Sequence, residues 1–164
     1  MPSKVKSIPE GFHSLTPYIV VHDAAQAIEF YKRVFGAKEV TRMNGPEGKI
    51  GHAELKIGDS ILMLADEMTG QSNRSPASLG GTTAGIMLYV DNVDEVYNKA
   101  VSAGATAEQQ PADQFWGDRY GKVKDPFGHA WSLATHKEDV APAELERRAQ
   151  AAMAEMAKRT RTAT

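Results

Sequence analysis

Residues 18–38 read YIVVHDAAQAIEFYKRVFGAK, and residues 86–106 read IMLYVDNVDEVYNKAVSAGAT. Each is a short apolar run, then an acidic residue, a segment of helical period and a Gly-Ala pair. Asp23 precedes Gly36 by 13 residues, as Asp91 precedes Gly104, and the two acids lie 68 residues apart. The first helical segment puts Ala24, Ala27, Ile28, Tyr31, Val34 and Phe35 on one face. The second puts Val93, Val96, Tyr97, Ala100 and Val101 there. Asp23 and Asp91 stand where an N-cap belongs, and Gly36 and Gly104 where a left-handed C-terminal residue belongs.

Working outward, each helix is followed by three strand-like runs. In the first copy they are 38–43, 51–57 and 60–66; in the second, 106–111, 119–124 and 130–135. Gly58-Asp59 joins the last two runs of the first copy. Asp125-Pro126-Phe127-Gly128 does so in the second, with Asp, Pro and Gly placed as a type I turn favours. The order is therefore βαβββ twice. Between the copies, MTGQSNRSPASLGGTT (68–83) is too polar and too long for a tight turn, which is the pattern of a mobile linker or lid.

The chain of 164 residues suits one compact domain built on a shared core. A net charge of −2 gives no global attraction to nucleic acid or anionic membrane. With no cysteine, disulfides, thiolate nucleophiles and cysteine-bound zinc are excluded. The opening MPSKVKSIPEGFHS has no apolar signal region, and no run approaches the ~20 apolar residues of a membrane span. The expectation is a cytoplasmic protein. No glycine-rich nucleotide loop follows a parallel strand, so nothing indicates a nucleotide-dependent methyltransferase.

The doubled βαβββ pattern resembles the vicinal oxygen chelate superfamily, which includes glyoxalase I, extradiol dioxygenases and bleomycin-resistance proteins. HAELKIGDSILML (52–64), DQFWGDRYG (113–121) and DPFGHAWSLATHKEDV (125–140) resemble its PhnB-like branch. The resemblance implies an α+β fold, two βαβββ modules (15–67 and 84–136) forming a glyoxalase-like half-barrel domain over 12–140. Leu145, Ala149, Met153 and Met156 recur at helical spacing, so 141–164 reads as an added amphipathic C-terminal helix, on the barrel or a partner subunit, ending in the solvated tail KRTRTAT. The family resemblance also implies a homodimer.

Given a half-barrel, strand alternation sorts its residues. Ala53, Leu55 and Ile57 pack outward, leaving His52, Glu54 and Lys56 inside; by the repeat, Tyr120, Lys122 and Lys124 match them. Leu62 and Leu64 face the helices, leaving Ile61, Met63 and Ala65 inside; Trp131 and Leu133 leave Ala130, Ser132 and Ala134. Thr16, Tyr18 and Val20 line the first strand, and Gly85, Met87 and Tyr89 its counterpart.

Metal-dependent members of the family carry His and Glu at four positions that correspond to Thr16, Met63, Gly85 and Ser132. A hydroxyl and a thioether are poor donors to a divalent transition metal, so no metal and no cofactor is expected. A relocated site would need His52 and Glu54 together with His129 or His136, although alternation puts His129 on the Trp131 side.

Two functions remain open. One is a binding protein for a small, partly aromatic ligand, held by Tyr18, Met63, Met87, Tyr89, Phe115, Trp116, Arg119, Tyr120 and Lys122, possessing no chemistry of its own. The other is an enzyme acting on a small carbonyl or phenolic compound, with His52 as general base oriented by Glu54, metal-free or with a relocated metal. Each residue also has a structural reading. His52 can be a hydrogen-bonded strand residue, Glu54 can pair with Lys122 across the cavity, and Arg119 can fix its loop through Asp113 or Asp118. His136 can bond the segment that follows it.

Overall fold

The computed structural model describes residues 5–70 and 72–162. Met1 to Lys4, Gln71 of the linker, and Ala163 and Thr164 of the tail lie outside the described residues. The first module comprises β1 (Tyr18–Val21), α1 (Ala24–Phe35), β2 (Lys38–Asn44), β3 (Ile50–Ile57) and β4 (Ser60–Asp66). After a short α2 (Pro76–Leu79), the second module repeats this as β5 (Gly85–Tyr89), α3 (Val93–Ser102), β6 (Thr106–Asp113), β7 (Asp118–Lys124) and β8 (Ala130–His136). A long α4 (Pro142–Thr162) follows. The sheets are ordered β1-β4-β3-β2 and β5-β8-β7-β6; in each the first strand runs parallel to the last and the other pairs are antiparallel.

The two copies do not keep one constant spacing. Tyr18 pairs with Met63 and Met87 with Ser132, a step of 69 residues on those strands, whereas Glu54 and Lys122, which lie across from Met63 and Ser132, are 68 apart. The second helix is the shorter, 10 residues against 12, and the connection before β8 has five residues where that before β4 has two. The step of 69 holds at the helix starts as well, Ala24 and Val93, and this displaces the expected cap. Asp23 caps α1, accepting from the Gln26 amide, but α3 is capped by Asn92, not Asp91. Gly36 adopts the left-handed conformation, while the end of α3 is closed by Ala103 and the positive φ falls on Gly104 just beyond.

Burial follows the expected faces closely. Ala53, Leu55, Leu62, Leu64, Val123, Trp131 and Leu133 join the buried faces of α1 and α3 in one core spanning both modules. Each large apolar side chain buried there contributes about 1.5–3 kcal/mol. Val101, expected on the packed face, is 37% exposed, and Phe30 is buried instead through an edge-on contact with Phe127.

The modules are fastened at Asp125. Its buried carboxylate accepts from the Tyr31 hydroxyl of α1 (2.7 Å), the Trp131 indole (2.8 Å) and the amides of Phe127 and His129 (both 2.9 Å). Burial, then the neighbouring Asp125 carboxylate, pushes the Tyr31 hydroxyl well above its ordinary pKa.

The 68–83 segment, expected as a mobile linker or lid, is tied down near its middle. Glu67 accepts from Arg74 Nε (2.7 Å) and the Ser75 amide (2.8 Å), and Ser75 in turn caps α2. Of α4, Leu145, Arg148, Ala149 and Ala152 are half-buried, whereas Met153 and Met156 are each 68% exposed. Among the described residues no helix is long and apolar enough to cross a membrane.

Candidate functional site

On the face of each sheet away from its helix, the register sets side chains in rows. Tyr18, Met63, Glu54 and Thr41 form one row in the first module. Met87, Ser132, Lys122 and Gln109 form its counterpart in the second, beside a row of Tyr89, Ala134, Tyr120 and Ala112. Polar and aromatic residues can occupy these rows because the opposite face of each strand already supplies the core. Tyr18 (48%), at the start of β1, Met87 (42%), in the middle of β5, and Tyr89 (59%), at its end, remain substantially exposed and leave apolar surface open on this face. Ile61 and Ala65 are buried on this side as well.

In the first module His52 is engaged at both ring nitrogens. Nε2 lies 3.2 Å from Glu54 Oε1, and a carboxylate only accepts, so Nε2 carries the proton. In the neutral ring Nδ1 then accepts from the Tyr18 hydroxyl at 3.4 Å, and the Tyr18 ring tilts over the imidazole at 5.7 Å. This orients His52 as a base or holds it as a strand-to-strand tie. Glu54 does not reach Lys122. Lys122 pairs with Glu108 on the adjacent strand at 3.1 Å, while Glu54 belongs to the other sheet and finds His52 first.

The second module builds its aromatic rim on Asp118. This carboxylate, 4% exposed, accepts from the Tyr89 hydroxyl and the Trp116 indole (both 3.0 Å) and from His136 Nδ1 (2.8 Å). Burial raises the Asp118 pKa, but those three donors outweigh it and hold the group below the usual carboxylate range. His136 Nε2 reaches Asp139 at 3.0 Å. An acceptor at each nitrogen favours the cationic ring, and the bond to Asp118, then that to Asp139, raises its pKa.

Trp116 meets Phe115 edge-on at 5.0 Å and Tyr120 at 5.9 Å, and Tyr120 shares a hydrogen bond with Ser132 at 2.8 Å. Gly117 has φ +102°, and an added Cβ would collide with the Glu138 carbonyl, so the 137–140 strap packs directly on the rim. The Lys137 and Glu138 amides both donate to the Gly117 carbonyl.

Arg119 is closed off from a ligand. Its Nε and Nη2 fork onto Asp94 at 2.6 and 2.8 Å, and Nη1 reaches Asp113 at 3.2 Å. Of the partners expected from sequence, Asp113 takes part; Asp118 belongs to Tyr89, Trp116 and His136, and Asp94 of α3 replaces it. Asp118 was visible in the sequence only as a neighbour of Arg119. Its role follows from tertiary proximity to Tyr89, 29 residues away.

The four chelate positions do not fit a divalent metal. Thr16 donates to the His13 carbonyl at 3.1 Å, Ser132 bonds Tyr120, and Met63 and Gly85 offer no hard donor. Among the described residues no three His, Asp or Glu converge on one point. His129 lies on the β1 edge, with Nε2 3.0 Å from the Val20 carbonyl, and His136 is tied to Asp118; neither joins His52 and Glu54.

Residues 11–133 match the model of the Glyoxalase/Bleomycin resistance protein/Dioxygenase superfamily. An uncharacterised protein of Mycobacterium bovis is 46% identical over 136 residues, covering 81% of this chain and 90% of the relative. The crystal structure of TioX from Micromonospora aligns with a TM-score of 0.59 at 30% identity, covering 76% of this chain and 98% of that one. A bleomycin resistance determinant encoded on transposon Tn5 shares the fold, with a TM-score of 0.56 at 22% identity over 77% of this chain and 99% of that one.

Proposed function

The chain belongs to the Glyoxalase/Bleomycin resistance protein/Dioxygenase superfamily, and on that premise we propose that it is a small-molecule-binding protein whose ligand stacks on the open face of the second module. The observation that carries this reading is the Asp118 platform. One buried carboxylate anchors the polar tips of Tyr89 and Trp116, which leaves their ring surfaces for a planar, apolar ligand. Tyr120 and Met87 extend that surface, and Phe115 braces Trp116 from the side. Lys122, half-exposed beside Glu108, supplies the polar contact at the margin. Arg119 serves by fastening the loop.

Tyr18 and Met63 form the matching surface of the first module. A homodimer would cover these exposed faces, and the apolar residues Met153 and Met156 of α4 offer further contact area.

Ligand screening by quenching of indole fluorescence tests the proposal, with Trp116→Phe to identify the reporting residue; Trp131 is buried and serves as the internal control. Saturable quenching by planar aromatic compounds, abolished in Trp116→Phe and weakened in Tyr89→Ala, is the expected result. Quenching that persists unchanged in Trp116→Phe would remove the ligand from this face.

The His52–Glu54 contact favours a second reading, acid–base chemistry on a small carbonyl or phenolic compound in the first module. Turnover lost in His52→Ala with the fold retained would establish it.

A further inference from the structure

The edge strands β1 and β5 border one another across a seam, and among the described residues no backbone hydrogen bond joins them. The seam encloses a cavity of about 500 Å³ with Ile19, Val20, Ile86 and Ala130 along its walls, and with Arg74 and His129 contributing charge and polarity. A second cavity, of about 450 Å³, lies beneath the 76–83 segment and shares Arg74, Thr82 and His129 with the first. This pair of cavities is separate from the aromatic rim and meets the open face only at its edge, through Tyr18, Val20 and Ala130.

Two side chains give the seam a defined chemistry. His129 Nε2 lies 3.0 Å from the Val20 carbonyl, which only accepts, so Nε2 carries the proton and Nδ1 of the neutral ring is an acceptor with no hydrogen-bond partner among the described residues. Among the described residues Arg74 is anchored through Nε alone, to Glu67 at 2.7 Å. Arg42, Arg119, Arg147 and Arg148 each commit two or more nitrogens to carboxylates, whereas both Nη groups of Arg74 have no partner among the described residues. Glu67 is fixed by the Ser75 amide at 2.8 Å, so the guanidinium is held in place where it lines both cavities. Hydrogen bonds from Ser75 above all hold the Glu67 pKa at about 2, and that anchor stays ionised across the neutral range.

We propose that this seam is a second binding site, for a small amphipathic 2-hydroxycarboxylate. The paired Nη groups of Arg74 match the two oxygens of a planar carboxylate. The hydroxyl hydrogen goes to His129 Nδ1, and a short alkyl body lies along Ile19 and Ile86. Inorganic phosphate satisfies Arg74 equally well but leaves the apolar walls uncovered, and a carboxylate without the hydroxyl leaves Nδ1 unpaired.

The test is a ¹⁵N-edited NMR titration of the full chain with 2-hydroxyhexanoate, in parallel with hexanoate and inorganic phosphate. Saturable shifts of the Arg74 Nε–H and the His129 ring are expected, with affinity about tenfold weaker for hexanoate, because a site built around a hydroxyl penalises its absence. Binding should be lost in Arg74→Gln and in His129→Phe, which perturb opposite sides of the seam, while the Trp116 indole resonance stays unmoved. An unchanged Gly81 amide resonance in Arg74→Gln, reporting its bond to the Pro76 carbonyl, confirms that the linker is intact. Absence of saturable shifts, equal affinity in both variants, or phosphate binding as tightly as the hydroxyacid would overturn the assignment.

Discussion

Replacing Asp125 with alanine should be among the most damaging single changes to this protein. The carboxylate is 3% exposed and accepts four hydrogen bonds, two of them from Tyr31 and Trp131, whose side chains are 0% and 1% exposed. Its loss leaves a buried hydroxyl and a buried indole N–H without acceptors, at about 1–3 kcal/mol each. The Phe127 and His129 amides lose the same oxygen, and of the two only the part-buried His129 amide is placed to regain bonding from water. The expected cost is therefore about 4 kcal/mol, a large share of the roughly 5–15 kcal/mol that holds a domain folded. Tyr31→Phe removes one donor and leaves the carboxylate three, for about 1–2 kcal/mol. The two changes act on one bond, so the double variant should cost less than the sum of the singles by about 1 kcal/mol or more. Urea unfolding followed by far-ultraviolet circular dichroism and by tryptophan fluorescence measures all three. Since Tyr31 belongs to the first module and Asp125 to the second, Asp125→Ala should also separate the two probes into distinct transitions. A cost below about 1.5 kcal/mol, or strict additivity with Tyr31→Phe, would refute Asp125 as the bolt between the modules.

Gly117→Ala places a Cβ against the Glu138 carbonyl at a positive φ and should cost about 2–4 kcal/mol in urea unfolding; a loss under ~0.5 kcal/mol would show that the strap does not pack there. His136 has a raised pKa, so its ties to Asp118 and Asp139 are fully present below the ordinary imidazole value near 6.5 and weaken as pH rises through the raised value. Following the His136 ring by NMR against pH should give a midpoint above that of an unfolded control, and Asp118→Asn should lower it; an unshifted midpoint in the native protein would contradict the two-carboxylate clasp.

The doubled strand–helix phrase, the strand alternation and the position of the turns were determined by the sequence alone, because they depend on local period and on side chains whose conformational preferences do not need a partner. Asp23 followed by an amphipathic helix and Gly36 could hardly read otherwise, and Ala53, Leu55 and Ile57 declared the packed face of β3 by alternation. The unsuitability of Thr16, Met63, Gly85 and Ser132 as metal ligands was equally legible, since donor chemistry belongs to the residue type. What only the tertiary structure decided were pairings between groups far apart in the chain. Asp94 rather than Asp118 holds Arg119, Glu108 rather than Glu54 holds Lys122, and Asp118 collects Tyr89, Trp116 and His136. A carboxylate attracts every donor within reach, and sequence spacing does not say which donors the packing brings close. The cap of α3 fell to Asn92 for a related reason: the repeat changes its step between 69 and 68, and only strand register reveals where.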